Sequence, residues 1–141
     1  MKIIWLEDDP QTVRNTVNYI QDEIDAYIII CKSFAKFSQE LYMLDDDNKN
    51  IIIIDIRMLF NLENEFSCFD KTFFIENELN AGFQYYHECL ESKFSKTKIV
   101  FVTSKPFEEA KEDAKQYNID VNLILTKDEP DSLLNFLKGE K

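Results

Sequence analysis

Short apolar runs alternate along the chain with stretches in which apolar residues recur at every third or fourth position. The runs predict five β-strands, at residues 2–6, 27–32, 51–55, 98–103 and 121–126. The periodic stretches predict helices that bury one face, at residues 10–23, 34–44, 81–93, 107–117 and 130–138. Five strand–helix repeats are typical of a doubly wound α/β domain with a parallel sheet between two layers of helices.

Two of the predicted strands lack any alternation of apolar and polar residues. Residues 51–54 and 99–102 are apolar throughout, which is the composition of strands that are buried on both faces. Doubly wound sheets bind their ligands outside the carboxyl ends of the strands. The functional side chains are therefore expected where these strands end.

Composition narrows the range of functions. The chain has 141 residues, 45% of them hydrophobic, which is enough for one domain with a real core. A net charge of −11 argues against binding to a nucleic-acid backbone. Since His87 is the single histidine, histidine-rich zinc sites and Ser-His-Asp triads are nearly excluded. Two glycines are too few for a glycine-rich phosphate cradle.

The sequence also bears on location. No apolar run approaches the roughly 20 residues of a membrane span, and the N-terminal apolar stretch is too short for a signal peptide. We therefore expect a cytoplasmic protein that makes no contact with a membrane. In the cytoplasm, cysteines that lack the spacing of metal ligands are expected to be reduced thiols. The three cysteines of this chain are Cys31, Cys68 and Cys89.

Polar residues with useful chemistry stand at four strand ends. Carboxylates that crowd at one edge of a sheet need a cation, and hard oxygen ligands suit Mg²⁺. A nearby hydroxyl and ammonium can hold phosphoryl oxygens, and an aspartate is a competent nucleophile for phosphorus. The residues concerned are Glu7, Asp8, Asp55, Thr103 and Lys127. Asp9 is instead best explained as the N-cap of the first helix.

Taken with their surroundings, these residues resemble the response-regulator receiver family. The resemblance rests on five segments and covers nearly the whole chain apart from residues 59–79: IIWLEDDP, IIIIDIRM, NAGF, IVFVTS and LILTKDEP. It implies a CheY-like domain spanning residues 1–141, with the flavodoxin-like strand order 2-1-3-4-5. The third segment resembles the family's Asp-Gly opening of the third helix, with Ala81 in place of the acid.

The resemblance also implies a mechanism. Asp55 would accept a phosphoryl group from a sensor histidine kinase or a phosphotransfer protein, and the altered surface would control a downstream protein. Mg²⁺ would be held by Glu7, Asp8, Asp55 and the carbonyl of Arg57. Thr103 would supply the switch hydroxyl and Lys127 the lysine of the site. Such a domain catalyses its own phosphorylation and dephosphorylation without being an ordinary enzyme, and the family allows a homodimer.

Three departures leave an alternative open. Asp128 follows Lys127 where the family usually has proline, Ile124 stands where an aromatic switch residue is common, and residues 59–79 replace the usual turn. A phosphorylation-independent receiver-like interaction module is the alternative that they motivate. A phosphatase with an aspartyl nucleophile fits less well, because Arg57 stands where that class needs a second aspartate.

The inserted segment at residues 59–79 has a composition of its own. It carries five phenylalanines and more acidic than basic residues. Loops longer than about 12–15 residues tend to be functional or to contain structure of their own. We expect this segment to fold back near the third and fourth helices and to restrict access to Asp55.

Overall fold

The computed structural model describes residues 1–57, 79–104, 106–120 and 123–139 in full, and only the backbone of residues 65–68, 71–74 and 78. It contains a parallel five-stranded sheet in the order β2-β1-β3-β6-β7 and a separate antiparallel pair, β4-β5. The strands are β1 (Lys2–Leu6), β2 (Tyr27–Cys31), β3 (Asn50–Asp55), β4 (Glu65–Cys68), β5 (Lys71–Phe74), β6 (Lys98–Thr103) and β7 (Ile124–Thr126). With β4 and β5 set aside, the sheet has the predicted order 2-1-3-4-5.

Five helices connect and cover the sheet. They are α1 (Arg14–Glu23), α2 (Phe34–Tyr42), α3 (Ala81–Tyr85), α4 (Phe107–Gln116) and α5 (Pro130–Leu137). A 3₁₀ turn at Pro10–Val13 precedes α1, and a π-helical turn at Tyr86–Leu90 follows α3. The helix predicted at residues 81–93 thus begins as a short α-helix and continues as a π-helical turn. In that turn the Glu91 N–H donates to the Tyr86 carbonyl, five residues earlier, at 3.0 Å.

The sheet separates two apolar cores. Side chains at alternate positions of a strand point to opposite faces, so Ile52 and Ile54 of β3 pack towards α2, α3 and α4. Ile51 and Ile53 pack on the other face, where α1 and α5 lie. All four isoleucines are at most 1% exposed, which confirms a strand buried on both faces.

The expected capping role of Asp9 is wrong. Asp9 does occupy the position before the first helical turn, but its side chain makes no capping hydrogen bond. Its carbonyl instead accepts from the Thr12 hydroxyl at 2.7 Å, and its N–H donates to Glu7 Oε2 at 3.3 Å. The backbone N–H of Asp9 is therefore bonded to the Glu7 carboxylate, and the backbone carbonyl of Asp9 is bonded to the Thr12 hydroxyl and N–H within the 3₁₀ turn.

The Asp46 carboxylate links two loops at the amino ends of the strands, opposite the edge where the strands end. Asp46 accepts from the backbone N–H groups of Ser95, Lys96 and Thr97 at 2.8–3.1 Å, and from the Ser95 hydroxyl at 3.0 Å. These bonds join the loop before β3 to the loop before β6. They hold the pKa of Asp46 well below its usual range, the Thr97 N–H contributing most.

The inserted segment lies against a different helix from those expected from the sequence. Strand β4 lies against α2, whereas the inserted segment was expected near the third and fourth helices.

Cys31 is a free and buried thiol, as expected. Cys89 instead takes part in a disulfide, which spacing along the sequence does not reveal because a disulfide depends on distance in space. The side chain of Cys68 lies outside the described side chains.

Candidate functional site

Four strands bring polar side chains to one edge of the sheet. Glu7 and Asp8 follow β1, Asp55 and Thr103 end β3 and β6, and Lys127 follows β7. Backbone hydrogen bonds extend the ladder past the strand ends: Glu7 N–H donates to the Cys31 carbonyl and Lys127 N–H to the Thr103 carbonyl, both at 2.9 Å. The site is therefore placed by sheet pairing and not by a free loop.

An ammonium group lies between two buried carboxylates. Lys127 Nζ is 2.6 Å from Glu7 Oε1 and 3.2 Å from Asp55 Oδ2. Glu7 is fully buried and Asp55 is 3% exposed, whereas the Lys127 side chain retains 15% exposure. Lys127 thus pairs with Asp55, and Glu7 takes part in the same contact.

The electrostatics of this trio follow from burial. Loss of water raises the pKa of Asp55, and the neighbouring negative charge of Glu7 raises it further. Burial likewise raises the pKa of Glu7. Burial alone lowers the pKa of Lys127, but the charges of Asp55 and Glu7 outweigh this effect and raise it. The raised pKa values mean that these acids retain a proton near neutral pH in the metal-free protein, and a cation bound beside them would take its place.

The acids also form a cluster suited to a metal ion. Glu7, Asp8 and Asp55 each offer a carboxylate oxygen, and these oxygens lie within 4.8 Å of one another. Asp8 is half-buried, which leaves one side of the cluster open to solvent. A set of hard oxygen donors with an open side fits Mg²⁺, which prefers such ligands and retains water. Arg57, the remaining predicted ligand, is exposed two residues beyond Asp55.

Thr103 is the last residue of β6, Ile124 is the first residue of β7 opposite Phe101, and the two face different surroundings. Thr103 is 1% exposed and pairs with Thr126 across β6 and β7. Ile124 is 2% exposed and packs in the core on the α4 side. The position that is commonly aromatic in the receiver family is therefore filled here by a fully packed aliphatic side chain.

Gly82 was not singled out from the sequence as a positional requirement, yet it lies directly against the end of β3. Its N–H donates to the Ile56 carbonyl at 2.8 Å. A Cβ at this position would overlap the Asp55 carbonyl oxygen and would lie 2.9 Å from Ile56 Cα. The sequence signals were that Gly82 stands in the segment NAGF, which resembles the Asp-Gly opening of the third helix in the receiver family, and that it is one of two glycines in the chain.

A small cavity lies behind Lys127. Trp5, Thr126 and Lys127 are among its lining residues, and its volume is about 10 Å³. Trp5 Nε1 and Thr126 Oγ1 are both buried without a hydrogen-bond partner among the described residues. Polar atoms of β1 and β7 therefore face the same small space beside the site.

Comparison with known proteins gives matches only at the level of structure. No protein-family model matches the sequence, and no curated protein matches it either. Among solved structures, the Vibrio cholerae chemotaxis protein CheY4 is 17% identical with a TM-score of 0.64, covering 99% of this chain and 98% of that one. A Francisella response-regulator receiver domain is 14% identical with a TM-score of 0.65, covering 97% and 93%.

A response-regulator receiver domain from Clostridium thermocellum is 12% identical, with a TM-score of 0.60 and coverage of 98% and 91%. These likenesses extend over nearly the full length of both chains in each case. The chain has the receiver-domain fold. The strand order that the sequence resemblance implied is thereby confirmed together with the fold.

Within the receiver fold, the structure brings together most of the predicted site. Glu7, Asp8 and Asp55 form the acidic cluster, Lys127 contacts two of its members, and Thr103 ends the adjoining strand. The role of each residue remains a prediction. No described helix is long and apolar enough to cross a membrane.

Proposed function

We propose that this receiver fold is a phosphoacceptor domain of a two-component system. Asp55 takes a phosphoryl group from the phosphohistidine of a sensor histidine kinase or a phosphotransfer protein. The observation that carries the proposal is the contact of Asp55 with Lys127 inside an acidic cluster at the carboxyl edge of the sheet. A buried acid that serves only structure has no need of two further carboxylates beside it.

The transfer is a substitution at phosphorus. A bond forms between a carboxylate oxygen of Asp55 and the phosphorus atom, while the phosphorus–nitrogen bond breaks and its electron pair stays with the imidazole of the kinase. When bound by Glu7, Asp8, Asp55 and the Arg57 carbonyl, Mg²⁺ would neutralise charge on the phosphoryl oxygens. Lys127 supplies a second positive charge, and its 15% exposed side chain is anchored by Glu7 throughout.

Transfer also changes the partners of Lys127 and Thr103. Asp55 and Lys127 are paired before transfer, and the ammonium follows the new negative charge onto the phosphoryl oxygens. The Thr103 hydroxyl donates to one of these oxygens, which draws the end of β6 towards Asp55. This displacement is the change that a downstream protein would detect.

A small-molecule phosphodonor tests the proposal without knowledge of the kinase. The protein is incubated with acetyl phosphate and Mg²⁺, and the modified residue is mapped by mass spectrometry. We expect one phosphoryl group on Asp55, none in Asp55→Asn, and strongly reduced labelling in Asp8→Asn. Asp9→Asn is the matched control, because Asp9 is the adjacent acid but does not belong to the acidic cluster. Labelling of wild type and Asp55→Asn to the same extent would refute the proposal.

The alternative is a receiver-like interaction module that does not use phosphorylation. It is favoured by the tight ion pair of Lys127 with Glu7 and by the burial of Ile124. In that case Asp55 stays unmodified in the experiment above. A partner recovered by wild type and Asp55→Asn with equal affinity would then identify the module.

A further inference from the structure

The outer edge of the sheet at β2 is unusually apolar. Strand β2 is the last strand on its side, and its residues are Tyr27, three isoleucines and Cys31. Tyr27 is 65% exposed, and the three isoleucines are half-buried. Proteins usually protect such an edge with lysine, proline or a bulge within the strand, and β2 contains neither lysine nor proline.

The backbone groups at this edge can be assigned from the parallel pairing with β1. Tyr27 N–H donates to the Met1 carbonyl, and the Cys31 carbonyl accepts from Glu7 N–H, both at 2.9 Å. In a parallel pair alternate residues bond to a given neighbour, so the backbone groups of residues 27, 29 and 31 face β1. The N–H and C=O groups of Ile28 and Ile30 consequently point outwards, where the described part of the chain offers no further strand.

A groove runs beside this edge on the α1 face of the sheet. It has a volume of about 340 Å³ and is lined by residues of the 3₁₀ turn, α1 and β2: Pro10, Gln11, Arg14, Val17, Asn18 and Ile30. Since Ile28 shares this face with Ile30, an isoleucine from an added antiparallel strand can lie over the groove. The edge therefore offers both unused backbone hydrogen bonds and an apolar recess.

We propose that β2 pairs with β2 of a second copy of this chain, in antiparallel orientation about a two-fold axis near Ile29. Ile28 then lies opposite Ile30 of the partner subunit, and the two residues exchange backbone hydrogen bonds in both directions. The two five-stranded sheets become one continuous sheet of ten strands. Neither Asp55 nor its phosphorylation is required for this pairing.

Charge favours a second copy over an unrelated strand. The acids Glu23 and Asp25 precede β2, and Lys32 follows it, all of them exposed. Antiparallel pairing places the Lys32 end of one strand beside the acidic end of the other, twice in a symmetric dimer. Pairing of two five-residue strands buries less than the roughly 1,200–2,000 Å² of a stable interface. The dimer is therefore weak and depends on concentration.

Amide hydrogen exchange measured by NMR tests the pairing residue by residue. At low concentration the amides of Ile28 and Ile30 should exchange with solvent much faster than that of Ile29, which is bonded to β1. Raising the concentration into the range where sedimentation detects the dimer should protect Ile28 and Ile30 at least tenfold and leave Ile29 unchanged. Unchanged exchange at Ile28 and Ile30 across that range would overturn the proposal.

Two variants address the same interface by different means. Ile28→Pro removes an outward N–H and leaves the β1 ladder intact, whereas Ile28→Val keeps the N–H and is its matched control. Tyr27→Lys places a cation on the exposed side of the edge without altering a buried side chain. We expect Ile28→Pro and Tyr27→Lys to remain monomeric at concentrations where wild type and Ile28→Val dimerise. Dimerisation of all four proteins, or of none, contradicts pairing through β2.

Discussion

At the scale of single residues, the site shows how burial and charge are balanced. Asp55 and Glu7 lose nearly all contact with water, and both contact Lys127. Burying two carboxylates costs free energy that one ammonium offsets only in part. Asp55 is therefore destabilising in the metal-free protein.

The substitution Asp55→Asn tests this balance. Asparagine is neutral at every pH, so the variant avoids the cost of keeping a proton on Asp55 in the folded state. We therefore expect the metal-free variant to unfold with about 1–2 kcal/mol more free energy than wild type near neutral pH. The pKa of Asp55 is raised in the folded state, so wild type loses stability as pH rises from about 4. In thermal denaturation, the difference in melting temperature between Asp55→Asn and wild type should therefore increase as pH rises from about 4. A lower melting temperature for the metal-free variant at neutral pH would contradict this account.

Mg²⁺ should reverse the ranking of the two proteins. Because Asp55 belongs to the acidic cluster, saturating Mg²⁺ is expected to raise the melting temperature of wild type and to leave Asp55→Asn almost unchanged. The same measurement with Asp9→Asn serves as the control, since that variant keeps the cluster. Saturating Mg²⁺ should raise the melting temperature of Asp9→Asn by as much as that of wild type.

At the scale of elements, the start of α3 is pressed against the end of β3. Gly82 lies over the Asp55 carbonyl, and its N–H is bonded to the Ile56 carbonyl. The close approach leaves no room for a side chain. Any change in the backbone that carries Asp55 is therefore passed directly to α3.

Replacing the two glycines one at a time separates packing from backbone strain. Gly82→Ala must push α3 away from Asp55 and Ile56, and such overpacking costs about 1–3 kcal/mol. Gly139→Ala meets only Lys98 Nζ at 3.9 Å, but its φ of +76° costs about 1 kcal/mol for a residue with a Cβ. We expect urea denaturation to show the larger loss for Gly82→Ala, together with slower labelling of Asp55. Equal losses and unchanged labelling would show that the contact is relaxed at little cost.

The loops at the opposite edge depend on pH through Asp46. Its pKa is lowered by the N–H groups of Thr97, Ser95 and Lys96, so its contribution to stability is present above about pH 4 and is lost as pH falls towards the lowered pKa. Asp46→Ala should lower the melting temperature at pH 7 by more than Asp45→Ala, because Asp45 is exposed. The gap between wild type and Asp46→Ala should narrow below pH 4. A gap that stays constant down to pH 2 would mean that the carboxylate charge contributes nothing.

At the scale of the whole molecule, the sequence was most informative where burial decides structure. The bounds of β1 and β6 were predicted as observed. The acids and the lysine predicted at one edge of the sheet do lie together there. What the sequence could not reveal depends on distances. The joint contact of Lys127 with Glu7 and Asp55 and the fit of Gly82 against β3 involve residues far apart in the chain.

The inserted segment illustrates the same limit. Its composition indicated that it would not remain an irregular loop, and β4 and β5 do pair within it. Its five phenylalanines did not identify the neighbour, because an apolar segment can cover any exposed apolar surface. The observed neighbour of β4 is α2, and the regulation of access to Asp55 by this segment remains a prediction.

The cavity behind Lys127 gives the protein an optical property. Trp5 is the single tryptophan of the chain and is 1% exposed, so fluorescence excited at wavelengths that tyrosine does not absorb comes from one buried indole ring. That ring lines a small cavity together with Thr126 and Lys127, and Lys127 contacts Asp55. Any event that moves Lys127 alters the dipoles around the indole, and the colour and intensity of its fluorescence change with them. The state of the site can thus be followed in the unlabelled protein, in real time, with a simple fluorimeter.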